Sequence, residues 1–268
     1  MNGHPKYQNL IEHIKSIGPG VVAFSGGVDS ALVLRAAKDA LGHGVLAVSV
    51  ETPYMLKWEL REAEHLADSL NVRRKHIHIP FLEELKYNPK DRCYICKSYL
   101  MSRIKTEASR EGLSIIMDGS TRDNLDEYRP GLKALQEQGI RSPLMETGLG
   151  KEDVRAISKE MGLPTWDRTS QACLLTRIPH DTEVRIHELG RIEDSERLLL
   201  DLGFKKVRVR SHGDLARIEV APGERPKLFD VGLVDSISKA LKSHGFRYVC
   251  MDLDGYRKRS LNAKNPSA

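Results

Sequence analysis

The segment Ser25-Gly26-Gly27-Val28-Asp29-Ser30, placed directly after the apolar run Val21-Val22-Ala23-Phe24, restricts this chain more than any other feature. An apolar strand that feeds a glycine pair and then a helix builds a cradle for an anion. The glycines let the backbone turn and approach a ligand closely. Free N–H groups at the start of the following helix, expected from Val28 to near Leu41, point at phosphate oxygens, and the helix dipole adds to the attraction. Ser25 and Ser30 supply hydroxyl donors, and Asp29 is suited to holding a divalent cation, magnesium, against the phosphates. The spacing excludes the longer phosphate loop that ends in Gly-Lys-Ser/Thr. An ordinary strand–turn–helix junction is the alternative, and the density of the pattern argues against it.

Alternating apolar and amphipathic segments continue after this loop. Strands are expected at 45–50, 75–79 and 114–117, and helices at 55–70 and 94–111, the first with Leu56, Leu60, Ala63, Leu66 and Ala67 on one face. Such alternation predicts a doubly wound parallel sheet. Ligands of these sheets lie beyond the carboxyl ends of the strands, where Ser25, Ser49 and Asp118 fall. Residues 118–131 form a polar, turn-rich segment with Gly119 at its start; its acidic residues suit magnesium, and Arg122 and Arg129 suit an anionic substrate.

The C-terminal third reads differently. A helix near 183–202, strands near 206–210 and 216–220, a helix near 234–243 and a strand near 247–251 predict a small α+β domain with an antiparallel sheet. The expected division is a nucleotide-binding domain over 1–179 and a smaller domain over 180–268, with the boundary near Pro179. The basic run Tyr256-Arg257-Lys258-Arg259 and the residues after it are expected to be a disordered end. Arg208 and Arg210 alternate onto one face of a strand, as a phosphate or carboxylate clamp requires, and Arg177 is a third candidate.

There are four cysteines. Cys93 and Cys96 form a Cys-x-x-Cys pair at the start of a helix, and Cys173 lies in Gln171-Ala172-Cys173-Leu174. Cys250 sits in the apolar strand Tyr248-Val249-Cys250-Met251, the setting of a buried small hydrophobe. The pair alone is open to several readings: a redox dithiol, half of a zinc site, cluster ligands or coincidence. Zinc usually takes four ligands and no second such pair exists, although His76 or His78 are available. Three thiolates, from Cys93, Cys96 and Cys173, instead match a [4Fe–4S] cluster with one open iron. Arg168 and Arg177 flank Cys173 and suit a thiolate there.

The net charge of +5 is compatible with anionic ligands and too mild to argue for nucleic acid. No apolar stretch approaches the roughly 20 residues of a membrane helix. The first residues lack a secretory pattern, so a cytoplasmic location is expected.

The loop resembles the pyrophosphatase loop of the adenine-nucleotide alpha hydrolases, which implies cleavage of ATP between its α- and β-phosphates and adenylation of an oxygen. The resemblance extends through Asp118-Gly119-Ser120, the 126–131 segment, Ser142-Pro143-Leu144, Lys151-Glu152-Asp153-Val154-Arg155, Leu163-Pro164-Thr165-Trp166, Ala172-Cys173-Leu174 and Val207-Arg208-Val209-Arg210. With these the chain resembles the LarE family of ATP-dependent sulfur transferases, from the phosphate loop to about Val220. That resemblance implies a substrate, pyridinium-3,5-biscarboxylic acid mononucleotide, whose carboxylate is adenylated and then converted to a thiocarboxylate. The product is a precursor of the nickel-pincer nucleotide. The resemblance maps the family's sulfur-bearing cysteine onto Cys173. In one branch this cysteine gives up its own sulfur and becomes dehydroalanine. In another, three cysteines hold a [4Fe–4S] cluster, and the Cys-x-x-Cys here favours that branch. The resemblance also implies a homo-oligomer, with a hexamer as one candidate, and ATP and magnesium as cofactors. A tRNA-thiolating enzyme of the same superfamily and a non-catalytic ATP- or cluster-binding scaffold are the rival readings. The mild charge weighs against the first, and the intact Asp29 and Ser30 against the second.

Overall fold

Apolar, largely β-branched residues form β1, Gly20–Ala23, and the glycine pair that follows ends it. The structure, a computed structural model, describes residues 4–125, 130–168 and 171–257. Its first compact unit comprises Met1–Leu82 and Asp91–Ser170, and its second comprises Glu83–Lys90 and Gln171–Ala268.

In the first unit, α1 (Pro5–Ile17), β1, α2 (Val28–Leu41), β2 (Val45–Glu51), α3 (Lys57–Ser69), β3 (Arg73–His78), α4 (Arg92–Arg110) and β4 (Ile115–Met117) follow in chain order. Then come α5 (Pro130–Glu137), α6 (Pro143–Glu146) and α7 (Lys151–Glu160). The sheet order is β3-β2-β1-β4, and each of its neighbouring pairs is parallel. The chain steps outward from β1 to β3 and then returns to the other side of β1. This reversal opens a crevice at the carboxyl end of β1, where the phosphate loop begins. The doubly wound expectation is met, with strand ends shifted by one or two residues.

The first unit's core lies between β1, β2 and the helices α1, α2, α3 and α7. Eight residues of α2 are buried, because the helix is covered on several sides. The sequence reading placed no element before β1. The structure adds α1 there, which starts at Pro5 and buries Tyr7, Leu10, Ile11, Ile14 and Ile17. Tyr7 donates to Asp39 of α2 at 2.7 Å, and burial together with that hydrogen bond pushes its phenol far above the usual range.

The second unit contains α8 (Ile186–Asp201), β5 (Val207–His212), β6 (Leu215–Val220), α9 (Val231–Ser243) and β7 (Tyr248–Met251). Its sheet runs β5-β6-β7 and corrects the antiparallel expectation. β5 and β6 form an antiparallel hairpin, but β7 pairs with β6 in parallel. The physical reason is α9, which carries the chain back along the sheet before β7 begins. Side chains of the edge strand β7 alternate between exposed and half-buried, and Cys250 falls on the exposed side rather than being buried. No helix among the described residues is long and apolar enough to cross a membrane.

Candidate functional site

The phosphate loop is built from backbone geometry. Gly26 has φ +77°, and a Cβ on it would lie 2.6 Å from the Ala63 Cβ of α3. Only glycine fits both requirements. Ser25 Oγ and Ser30 Oγ lie 3.2 Å apart, and Ser30 Oγ donates to the Gly27 carbonyl at 3.2 Å. Gly27 is extended, and α2 starts at Val28 with Asp29 in its first turn. The first amides of α2 therefore face the same end of the sheet as the loop, as an anion cradle requires.

Neighbouring segments complete this region. A Cβ on Gly119 would lie 2.8 Å from the Ser30 nitrogen, so Gly119 lets the chain after β4 press against the start of α2. Asp118 is buried and accepts hydrogen bonds from Ser120 and Ser142, which makes it a brace for that chain. Ser49 is likewise committed, donating to the Phe24 carbonyl at 2.9 Å. Arg122 is exposed, and its Nη2 lies 3.3 Å from the Cβ position of Gly150. Arg129 and residues 126–128 lie outside the described residues.

Two cations here were given no role at the loop by sequence reasoning. Lys151 Nζ lies 3.5 Å from Asp29 Oδ2, and its backbone N–H donates to Asp123 at 2.5 Å. Arg168 reaches the Gly26 carbonyl at 3.4 Å and Glu62 at 3.0 Å. The Lys151 segment was visible as a motif, but nothing in its spacing aimed it at Asp29.

Cys93 and Cys96 occupy the first turn of α4, three residues apart and so on one side of the helix. Neither is in a disulfide, and Cys93 is exposed and Cys96 partly buried. The buried Tyr54 hydroxyl lies 3.5 Å from Cys96 Sγ.

In the second unit, Cys173 is a partly exposed cysteine, in no disulfide, at the N-cap position of the short 3-10 turn Leu174–Arg177. Its carbonyl accepts from the Thr176 amide at 3.0 Å, Thr176 Oγ1 at 2.9 Å and Arg177 Nη1 at 3.0 Å. Arg177 is fully buried and makes a bidentate pair with Glu196 at 2.9 and 2.8 Å. Burial opposes its charge, but the Glu196 carboxylate holds the guanidinium above its ordinary value. Arg210 pairs in the same way with the fully buried Glu219.

Arg208 differs from both. It is buried, contacts Gln171 and the Val207 carbonyl, and lies 3.3 Å from the Tyr256 hydroxyl. Among the described residues no carboxylate pairs with it, and burial together with the nearby Arg177 charge pulls it below its ordinary value. Of the three expected clamp arginines, two have their charge balanced within the protein and one does not.

The cysteines fall in different units, Cys93 and Cys96 in the first and Cys173 in the second. Among the described residues, no group of three or more His, Cys, Asp or Glu side chains is gathered to hold a metal ion.

A parallel sheet with a Ser-Gly-Gly-x-Asp-Ser loop at its switch point defines a phosphate-loop α/β protein. The sequence profile of the queuosine biosynthesis protein QueC matches residues 19–96, the span from β1 to the Cys-x-x-Cys pair. The NMN synthetase of Francisella tularensis shares the fold, with a TM-score of 0.51 at 18% identity over 62% of this chain and 74% of that one. Similarity over nearly the whole length is found elsewhere. An uncharacterised protein of Synechocystis is 36% identical over 96% of this chain and 97% of its own length. The pyridinium-3,5-bisthiocarboxylic acid mononucleotide synthase of Lactiplantibacillus plantarum is 36% identical over 96% of this chain and 94% of its own. The chain belongs to that synthase's family, the LarE family of the phosphate-loop superfamily.

Proposed function

We propose that this chain is an AMP- and pyrophosphate-forming sulfurtransferase that converts a carboxylate of pyridinium-3,5-biscarboxylic acid mononucleotide into a thiocarboxylate, for nickel-pincer nucleotide biosynthesis. The observation that carries this is the 36% identity to the L. plantarum synthase over 96% of the chain. In the first step a substrate carboxylate oxygen attacks the α-phosphorus of ATP. The bond to the bridging oxygen breaks and pyrophosphate leaves. The amides of Gly26 to Asp29 and the hydroxyls of Ser25 and Ser30 hold the departing phosphates, with Gly119 and Arg122 at the margin and Arg129, outside the described residues, as a further candidate anion contact. The Asp29 carboxylate fits magnesium, which when bound neutralises phosphate charge.

In the second step sulfur attacks the adenylated carbonyl carbon, the C–O bond to AMP breaks, and a thiocarboxylate remains. Cys173 is the sulfur-bearing position. On the sacrificial route its Sγ forms the C–S bond; loss of the Cα proton and cleavage of Cβ–Sγ then leave dehydroalanine. On the other route Cys93, Cys96 and Cys173 hold a [4Fe–4S] cluster. The three cysteines, none in a disulfide, are donors of the kind such a cluster takes, and two of them lie three residues apart near the start of α4. When bound, the cluster would supply sulfide from outside the chain as the sulfur donor. Arg208, the buried cation with no carboxylate, takes the substrate's phosphate or free carboxylate, while Arg177 and Arg210 shape its surroundings. Residues 1–179 would thus carry adenylation, and 180–268 anion contacts and homo-oligomer formation, with a hexamer as the candidate assembly.

ATP–pyrophosphate exchange stimulated by the pyridinium mononucleotide, with thiocarboxylate detected by mass spectrometry, tests the proposal. Stimulation by tRNA instead would move the chain to the thiolation enzymes, and no exchange with either would overturn an enzymatic role. Iron and acid-labile sulfide measured after anaerobic purification choose the sulfur route. Iron that is lost on Cys93→Ala supports the cluster; protein that stays iron-free after reconstitution supports the sacrificial route. Light scattering reads the assembly.

A further inference from the structure

Asn88 lies in the strap 83–90, which belongs to the second unit and precedes α4 in sequence. It is fully buried, with a left-handed φ of +48°. Its Nδ2 donates to three carbonyls of the segment after Cys173: Leu175 at 3.0 Å, Ile178 at 2.8 Å and Pro179 at 3.0 Å. Its own carbonyl accepts from the Asp181 amide at 3.4 Å and lies 3.2 Å from His180 Nδ1. One turn further along, the Val184 amide donates to the Lys86 carbonyl at 2.7 Å. The strap is tied to residues 175–184 through Lys86 and Asn88.

This arrangement carries two costs. A non-glycine residue is held in the left-handed region, and Asn88 Oδ1 is buried without a hydrogen-bond partner among the described residues. Glycine would relieve both and supply no donor. Aspartate would present carboxylate oxygens to three carbonyl oxygens. What asparagine alone adds is the N–H pair aimed at the turn, and the turn's other end is held by Arg177 on the Ala172 and Cys173 carbonyls.

We infer that Asn88 is a positioning residue for Cys173, clamping the turn from which sulfur is delivered. This rests on the reading of Cys173 as the sulfur-bearing residue. The clamp serves both sulfur routes, because each needs Sγ at a defined place relative to the adenylated carbonyl. Asn88 also stands five positions before Cys93 in the chain.

The test uses Asn88→Gly, which keeps the backbone conformation and removes the donors, and the near-isosteric Asn88→Asp, which covers a glycine variant that fails to fold. Three quantities are read: ATP–pyrophosphate exchange, single-turnover thiocarboxylate formation, and the rate of Cys173 alkylation by iodoacetamide followed by peptide mass spectrometry. Exchange should stay within about twofold, while thiocarboxylate formation falls about a hundredfold from misplacement of the sulfur. Cys173 alkylation should accelerate on the order of tenfold as the turn loosens. Unchanged alkylation and sulfur transfer overturn the inference, as do equal losses in exchange and transfer, which mark a merely structural residue. A Cys173→Ala control separates the two ideas. If it retained sulfur transfer, the reading of Cys173 would fall, and the alkylation rates would still decide whether Asn88 orders the turn.

Discussion

The phosphate loop and the Cys173 turn solve opposite problems. The loop attracts an anion with backbone amides, two hydroxyls and a helix end, and its parts are six consecutive residues. The Cys173 turn is instead held by side chains drawn from residues 88, 177 and 196, and it sits beside buried arginines. Amides supply partial charge without the desolvation penalty of an ion, so the loop can stay open to its ligand. A buried guanidinium must be balanced, and Glu196 and Glu219 balance Arg177 and Arg210. Arg208 stands apart because no carboxylate among the described residues balances its charge.

The sharpest way to break this comparison is to disable each side in turn. Asp29→Ala should abolish ATP–pyrophosphate exchange, whereas Cys173→Ala should leave exchange intact and eliminate thiocarboxylate formation. Asp29→Ala loses thiocarboxylate formation as well, because the adenylate is its substrate, so loss of exchange in Cys173→Ala is the result that would show the two regions are not separable in this way.

The next largest effect distinguishes balanced from unbalanced arginines. Arg177→Met should destabilise the protein by about 3–5 kcal/mol in urea unfolding, since it leaves the Glu196 charge buried and alone. Adding Glu196→Leu should recover much of that loss. Arg208→Met should change stability far less and raise the KM for the pyridinium substrate by about tenfold or more, as expected for a lost charge-assisted contact. Equal stability losses for Arg177→Met and Arg208→Met would remove the distinction.

On the loop side, Gly26→Ala should weaken ATP binding by about tenfold and cost about 1–2 kcal/mol of stability, from a strained φ and a clash with Ala63. Calorimetric titration with ATP reads the first effect and thermal unfolding the second.

The smallest effect lies in the ion pair of Glu146 with Arg141. Burial works against the Glu146 charge, but Arg141, His13 and the Ser142 amide hold its carboxyl down at about 2, below the usual 4.5. A depressed carboxyl contributes stability that is complete above its unfolded pKa and is lost as pH falls through its folded pKa. The contribution should therefore be full at neutral pH and fade from about pH 4.5 towards pH 2. Glu146→Gln should flatten that part of the stability profile, by about 1 kcal/mol once solvent screening is allowed for. An unaltered acid profile would show the pair to be idle.

Legibility followed locality. The strand, loop and helix around Ser25–Ser30 are encoded by residues next to one another, so their type and extent were readable. So was the parallel sheet, because crossover helices leave little choice of strand direction. The second sheet was misread since a hairpin and a crossover look alike when strands are short and α9 is read apart from its partners. Cys250 looked buried in an apolar run, but being an edge strand is a property of the sheet rather than of the strand. The arginines show the limit most clearly. Arg177, Arg208 and Arg210 were all recognisable as candidate clamps, yet no spacing told which ones Glu196 and Glu219 would balance.

What this sequence determined by itself was the phosphate loop, the helix it feeds, the alternating order that makes the first sheet parallel, and the family to which the chain belongs. All of these rest on interactions within a few residues or on patterns of fixed period. What only the tertiary structure decided was which charges are balanced, that Lys151 faces Asp29, and that Asn88 holds the Cys173 turn. Those pairings join residues that are distant in the chain, and a hydrogen bond or ion pair depends on distances of a few ångströms that sequence separation does not encode.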